Sequence, residues 1–190
     1  MALPQTKRYT FADLLTWDEG ERVELIDGDP VMHASPLPAH QAIVSALNYQ
    51  LYAHLRGTPC RVYPGPIDIR LFQEKDQGPE DVDTVVVPDL CILCDPGRLD
   101  QKGYRGAPAF VVEVLSPSSR RHDKLVKHSL YEKAGVKEYW IVDPEKKMVL
   151  VHLLEEDGHY PSPDVYTEKD TVPVHVLEDC VIDLAEVFSF

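Results

Sequence analysis

At 190 residues, with 44% hydrophobic and 27% charged residues, the chain is long enough for one soluble domain with a core of its own. A formal net charge of −13 argues against tight, non-specific binding of nucleic acid, although it leaves room for a local basic patch. No stretch approaches the ~20 apolar residues of a membrane span, and the N-terminus lacks the apolar core of a signal peptide. We therefore expect a cytoplasmic protein that makes no contact with a membrane.

The first half of the chain predicts a hairpin followed by a long helix. Asp27-Gly28 is a strong turn signal between two short strands at about 22–26 and 30–33, and Glu24 lies in the first of them. Apolar residues then recur every four positions from Ala39 to Arg56, which predicts a helix that Gly57 ends. The repeat consists of Ile43, Leu47, Leu51 and Leu55.

The middle of the chain predicts strands that two loops separate. Residues 60–71 form a strand in two parts, with Asp68 in the second part, and residues 73–83 form an exposed loop. Residues 85–93 form a strongly apolar strand. Because Pro88 cannot donate a ladder hydrogen bond, this strand should have a bulge or change sheets beside Asp89. Residues 95–108 are expected to form a second loop.

The four cysteines follow no disulfide-scaffold pattern, so we expect free thiols. They are Cys60, Cys91, Cys94 and Cys180. Cys91 and Cys94 form a C-x-x-C, but positions three apart on a strand point to opposite faces. That spacing favours a place in the core over a zinc site.

The apolar run Ala109–Leu115 predicts a buried strand that contains one carboxylate, Glu113. A buried, ionised carboxylate is costly without a partner, so Glu113 should face a charge, a metal ion or a cleft. An edge strand with Glu113 in water, or a structural ion pair with Lys or Arg, remains open. A helix at about 120–134 follows, then strands at about 137–142, 148–154 and 172–177, and a short helix at about 184–188.

This order of elements predicts a mixed β-sheet flanked by helices, in the α/β (α+β) class, with an N-terminal hairpin and extra C-terminal strands. Residues 1–190 form a single domain. The helix after the Glu113 strand should pack on the sheet through Leu125, Val126 and Leu130.

The candidate chemistry involves two carboxylates and one lysine. If the strands of Asp89 and Glu113 are neighbours, the two side chains can meet at one end of the sheet, where Mg²⁺ or Mn²⁺ would hold both ionised. Asp123, Lys127 and Tyr131 are spaced four residues apart on one helix face, so Lys127 could lie over the carboxylates. The alternative is a surface ion pair between Asp123 and Lys127.

Several motifs together resemble the Uma-type restriction endonuclease family, within the PD-(D/E)XK nuclease superfamily. The matching segments are Glu24-Leu25-Ile26-Asp27-Gly28, Pro38-Ala39-His40, the Asp68 strand, Pro88-Asp89, residues 112–118, Asp123, Lys127, Tyr131 and residues 135–144. The resemblance implies a restriction endonuclease-like core at about 39–154 and Mg²⁺-dependent cleavage of phosphodiesters. It assigns the acidic pair to Asp89 and Glu113. The superfamily lysine stands two residues after the glutamate, where this chain has Leu115, so Lys127, with Lys124 second, is the candidate.

Accessory roles fall to residues around this pair. Glu24 could add a ligand and His40 could line the cleft, with a capping or surface role for His40 equally open. Arg120 and Arg121 begin the densest basic run, which is expected to contact the phosphates if nucleic acid binds, with a solvated helix end equally open. Three functions follow: a Mg²⁺-dependent nuclease acting on nucleic acid, with DNA and a homodimer as the first expectations; an inactive interaction module on the same fold; and a metal-dependent hydrolase of another substrate.

Overall fold

A six-stranded mixed sheet forms the centre of the fold. The structure is a computed structural model that describes residues 7–17, 23–32, 35–116 and 123–190, with only the backbone described for residues 123 and 124. In spatial order the strands are β11 (Asp164–Thr167), β10 (Met148–Leu153), β9 (Glu138–Asp143), β8 (Phe110–Val114), β5 (Leu90–Leu93) and β3 (Arg61–Pro64). Strands β8 and β9 are parallel, and the other neighbours are antiparallel. The predicted mixed sheet is confirmed.

The described residues also form three smaller sheets. They are the hairpin β1 (Val23–Ile26) and β2 (Asp29–Met32); the set β4 (Ile69–Arg70), β6 (Leu99–Asp100) and β7 (Gly103–Arg105); and the pair β12 (Thr171–Pro173) and β13 (Val181–Asp183). The predicted hairpin at Asp27-Gly28 is confirmed. The prediction that residues 95–108 form only a loop was wrong, since β6 and β7 pair within this segment. These two strands are too short to show an alternating apolar pattern in the sequence.

Helices cover both faces of the central sheet. Helices α2 (Pro38–Leu55) and α4 (Leu184–Val187) lie on one face and α3 (His128–Ala134) on the other, whereas α1 (Phe11–Leu14) packs in a separate cluster with Leu25, Val82 and Val85. Helix α2 begins with a proline in its first turn, where a fixed φ suits the helix. The predicted four-residue apolar repeat packs against the face of the sheet that contains Leu90, Phe110 and Trp140.

Helix α3 packs on the opposite face through Leu130 and Tyr131 and ends at Gly135, whose φ of +82° is left-handed. The residues just before it, Asp123–Lys127, form a π-helical turn. Leu125 and Val126 are 61% and 40% exposed, so the prediction that they pack on the sheet was wrong. A π-turn has more residues than an α-turn, so counting back from Leu130 at the α-helical period gives the wrong face.

The apolar run at 85–93 changes sheets at Pro88. Val85 and Val86 form isolated bridges with Leu25 and Ile69, and the ladder of the central sheet begins only at Leu90. The predicted irregularity is therefore confirmed, and Asp89 lies in the bend directly before β5.

The prediction of free thiols was wrong for two of the four cysteines. Arg61 pairs with Leu93, so Cys60 and Cys94 are the next opposed positions of β3 and β5, and a disulfide joins them. Cys91 and Cys180 are free and buried. The pairing register of β3 and β5 brings these two cysteines together. The spacing of the cysteines in the sequence does not reveal this register. Within the described residues, no helix is long and apolar enough to cross a membrane.

Candidate active site

The two candidate carboxylates lie at the same end of the central sheet. Leu90 of β5 pairs with Val112 of β8 at the end of this antiparallel ladder, and Asp89 and Glu113 each come one residue beyond that pair. Asp89 precedes β5 and Glu113 is near the C-terminal end of β8. The backbone N–H of Val114 donates to Asp89 Oδ2 at 2.8 Å, which joins the Asp89 carboxylate to the chain beside Glu113.

Glu113 is buried and receives two donors on a single oxygen. Its side chain faces α3, where the Tyr131 hydroxyl donates to Glu113 Oε1 at 2.7 Å and Lys127 Nζ lies 2.8 Å from the same atom. Burial, and then the charges of Glu113 and Glu24, raise the pKa of Tyr131 well above its ordinary value. The hydroxyl therefore stays protonated and acts as a donor. Of the partners that the sequence left open for Glu113, the structure shows a charge, and this contact fits both a catalytic lysine and a structural ion pair.

Lys127 lies between two buried carboxylates. Its ammonium is 2.8 Å from Glu113 Oε1 and 2.9 Å from Glu24 Oε1. The exposures are 1% for Lys127, 0% for Glu24 and 3% for Glu113. Such burial is tolerated only where the charges are paired and hydrogen-bonded. The alternative of a surface ion pair between Asp123 and Lys127 is therefore wrong, because Lys127 is buried.

Glu24 also connects the hairpin to the Pro88 bend. Its Oε1 accepts a hydrogen bond from the backbone N–H of Val87 at 2.7 Å, in addition to the contact with Lys127. One carboxylate oxygen thus links β1, the segment that leads to Asp89, and the turn that carries Lys127. The sequence marked Glu24 as a candidate ligand, but no periodicity connects it with Lys127.

Asp89 is the more open of the two candidate carboxylates. Its Oδ2 accepts from Val114 N–H and lies 3.0 Å from His40 Nε2, on the first turn of α2. Its side chain is 25% exposed. Within the described part of the chain, no hydrogen bond is formed by Oδ1. Asp89 therefore has a fixed oxygen and a second one that can bind a ligand.

The donor set suits a hard divalent cation. Among the described residues, no group of three or more His, Cys, Asp or Glu side chains could hold a metal ion. Mg²⁺ does not require such a cage, because it commonly binds one or two carboxylates and completes its shell with waters and substrate phosphates. Asp89 Oδ1, which forms no hydrogen bond with the described residues, lies on a carboxylate near Glu113 and fits that mode.

Other predicted residues are placed elsewhere or lie outside the description. In the described chain, no hydrogen bond or ion pair joins the Asp68 side chain to this cluster; burial raises its pKa, and nearby Arg70 opposes the shift. Arg120 and Arg121, and the side chains of Asp123 and Lys124, lie outside the described residues.

Sequence reasoning missed Asp143, a buried carboxylate at the same end of the sheet. Val114 pairs with Val142 in the parallel ladder, so Asp143 comes directly after the pair that ends β8. Its Oδ1 accepts hydrogen bonds from the backbone N–H groups of Glu145 and Lys146. The available signal was an Asp-Pro that follows an apolar strand, which indicated a strand end and nothing more.

Comparisons with known proteins agree with this geometry. The sequence matches the family described as "Uma2: Putative restriction endonuclease" over residues 11–185, which confirms the resemblance that the motifs indicated. "Uncharacterized protein slr1290" of Synechocystis sp. (strain ATCC 27184 / PCC 6803 / Kazusa) is 24% identical over 151 residues, covering 78% of this chain and 75% of that protein.

A solved structure has the same fold. The crystal structure described as "a putative nuclease belonging to DUF820" from Anabaena variabilis ATCC 29413 aligns with a TM-score of 0.73 at 20% identity. The alignment covers 95% of this chain and 97% of that one. This similarity confirms the predicted fold class.

Proposed function

Because the chain belongs to the Uma2 family of "putative restriction endonucleases", we propose that it is a nuclease that hydrolyses phosphodiester bonds with Mg²⁺ or Mn²⁺. The family and the fold support a nuclease-like function. The observation that supports the proposal most directly is the contact between Lys127 and Glu113 at 2.8 Å. Lys127 thus brings an ammonium to Glu113 from the helix, whereas the Glu113 strand has Leu115 at the position where the superfamily has its lysine.

The proposed roles divide between the two carboxylates and the lysine. Asp89 and Glu113 would hold the cation, which supplies Lewis-acid activation of the phosphate and a water of lowered pKa. The Lys127 ammonium stabilises the negative charge that develops on the phosphoryl oxygens during attack. The Tyr131 hydroxyl and Lys127 both donate to Glu113 Oε1, so they fix the orientation of this carboxylate.

The substrate is nucleic acid, with DNA as the first candidate. The net charge of −13 means that the chain as a whole repels phosphates, so binding requires a local basic surface. Arg120 and Arg121, which precede Lys127 by seven and six residues in the sequence, remain the proposed phosphate contacts.

A second candidate is an inactive interaction module. The observation that favours it is the ion-pair network of Glu24, Lys127 and Glu113, which satisfies the lysine without any cation. In this case Glu113 would have a structural role, and Asp89 could be replaced without loss of function.

Titration of the protein with Mg²⁺ and Mn²⁺ in the presence of single- and double-stranded DNA and RNA tests the proposal. We expect cleavage that depends on the cation, is abolished in Asp89→Asn, and persists in Asp164→Asn, which changes an exposed carboxylate of β11. A folded wild-type protein that cleaves none of these substrates with either cation would favour the interaction module. Equal rates for wild type and Asp89→Asn would contradict the assignment of Asp89.

A further inference from the structure

We propose that His40 is a positioning residue that fixes one oxygen of Asp89, so that the other oxygen is the one available to the cation. The proposal rests on the proposed nuclease function and deepens it. It concerns a residue on α2, on the face of the sheet opposite to Lys127 and Tyr131.

The hydrogen bonds of Asp89 are unevenly divided between its two oxygens. Oδ2 lies 3.0 Å from His40 Nε2 and 2.8 Å from the backbone nitrogen of Val114. Oδ1 has no hydrogen-bond partner in the part of the chain that the structure describes. Two donors on one oxygen restrict rotation of the carboxylate, and they leave Oδ1 with its lone pairs free for a ligand.

The contact defines which nitrogen of His40 bears the proton. An ionised carboxylate only accepts hydrogen bonds, so Nε2 must be protonated to bind Asp89 Oδ2. The other ring nitrogen, Nδ1, is buried and has no hydrogen-bond partner among the residues that the structure describes. Burying a ring nitrogen without a hydrogen bond costs free energy. The hydrogen bond from Nε2 to Asp89 is the polar interaction that offsets this cost.

Packing alone does not account for a histidine at this position. The other buried residues of α2 are all aliphatic: Ile43, Val44, Leu47, Leu51 and Leu55. An aliphatic side chain at position 40 would extend the same apolar face without leaving a buried nitrogen unpaired. The residue therefore departs from the pattern of its helix at the turn that reaches Asp89.

Helix α2 gives His40 a rigid support. It spans 18 residues and packs on the central sheet through its aliphatic face, so the ring is held relative to β5 and β8. The first turn of a helix also bears partial positive charge, which favours an ionised carboxylate nearby. Both properties suit a residue that orients a ligand-binding carboxylate.

A series of substitutions at position 40 tests the proposal. The amide nitrogen of Gln reaches roughly to the place of Nε2, whereas that of Asn reaches only to the place of Nδ1. We expect His40→Ala to weaken Mn²⁺ binding about 10-fold and to lower kcat about 10- to 100-fold, with KM for the nucleic acid unchanged. His40→Gln should restore most of both quantities, and His40→Asn should resemble His40→Ala.

The matched control is His54→Ala, on the same helix. The Nε2 atom of His54 lies 3.0 Å from the carbonyl oxygen of Glu178, at an exposed site away from the carboxylates. This variant should bind Mn²⁺ and cleave as wild type does. Unfolding by urea, measured for each variant, separates loss of stability from loss of cation affinity.

Calorimetry with Mn²⁺ alone keeps this test separate from that of the nuclease activity. Wild type that binds Mn²⁺ without cleaving would end the nuclease proposal, while a weaker affinity in His40→Ala and recovery in His40→Gln would still support positioning. Unchanged Mn²⁺ affinity in His40→Ala would overturn the inference. So would equal losses in the Ala, Gln and Asn variants, or a wild type that binds no Mn²⁺.

Discussion

Replacing Lys127 by Met removes the ammonium that lies between two buried carboxylates. The side chain keeps a similar length, so packing changes little, but Glu24 and Glu113 each lose a contact of 2.9 or 2.8 Å. Removing one partner of a buried ion pair costs about 3–5 kcal/mol, because an uncompensated charge remains in a medium that solvates it poorly. We expect Lys127→Met to lower the free energy of unfolding at pH 7 by this amount.

Urea denaturation at pH 7 measures the effect, and two further variants define its origin. Lys147→Met removes the lysine of an exposed pair, in which Nζ is 2.7 Å from Glu168 Oε2, and should cost at most about 1 kcal/mol. Lys127→Met combined with Glu24→Gln should be more stable than Lys127→Met alone, since the second substitution removes one of the two negative charges that face the ammonium. The deficit should also shrink on acidification, because the carboxylates can then take up a proton.

A loss for Lys127→Met no larger than that for Lys147→Met would refute the reasoning. It would mean that the carboxylates around Lys127 are solvated or already neutral. Additive effects of the Lys127 and Glu24 substitutions would similarly contradict direct coupling between these side chains.

Two other predictions concern the remainder of the fold. Burial, and then the charge of His128, lower the pKa of His152 to about 4. With an unfolded value of about 6.5, this shift contributes stability that is complete above pH 6.5 and falls by about 2 kcal/mol on acidification to pH 5. Urea denaturation should show a correspondingly smaller loss of stability between pH 7 and 5 for His152→Phe than for wild type, and an equal loss would contradict the reasoning. In Gly135→Ala the new Cβ meets no atom within 4 Å, so the free energy of unfolding should fall only by the left-handed strain of about 1–2 kcal/mol. In Gly103→Ala the Cβ would lie 2.1 Å from the Asp68 carbonyl oxygen, so the loss should be clearly larger. Equal losses in urea denaturation would contradict this difference.

The sequence predicted the local elements around the site because their signals are local. The turn at Asp27-Gly28, the apolar repeat of α2 and the break at Pro88 each depend on a few neighbouring residues. The demand that Glu113 have a partner also followed from one residue in an apolar strand. Its contact with Lys127 is confirmed, while the catalytic roles of both residues stay predictions.

Features that depend on distant register or on irregular backbone were not accessible in the same way. The disulfide of Cys60 and Cys94 joins opposed positions on two strands whose pairing no motif encodes. The contact of Glu24 with Lys127 requires the hairpin to lie against the turn before α3. The π-helical turn changed the face of Leu125, since a hydrophobic period assumes an uninterrupted α-helix.

A lysine can reach the Glu113 carboxylate either from the Glu113 strand itself or from the helix that covers it. Side chains alternate along a strand, so Glu113 and Leu115 belong to the same face of the sheet, the face that α3 covers. Leu115 is buried in the apolar cluster there, and Lys127 reaches Glu113 on that face from the covering helix. A lysine at position 115 and one at position 127 are therefore two ways to bring an ammonium to the same side of the same carboxylate. On the helix, the Lys127 ammonium also contacts Glu24, a contact that a lysine on the strand would not require. The hairpin β1–β2 thus helps to hold Lys127 in place through Glu24. This contact is a physical role for the segment Glu24-Leu25-Ile26-Asp27-Gly28.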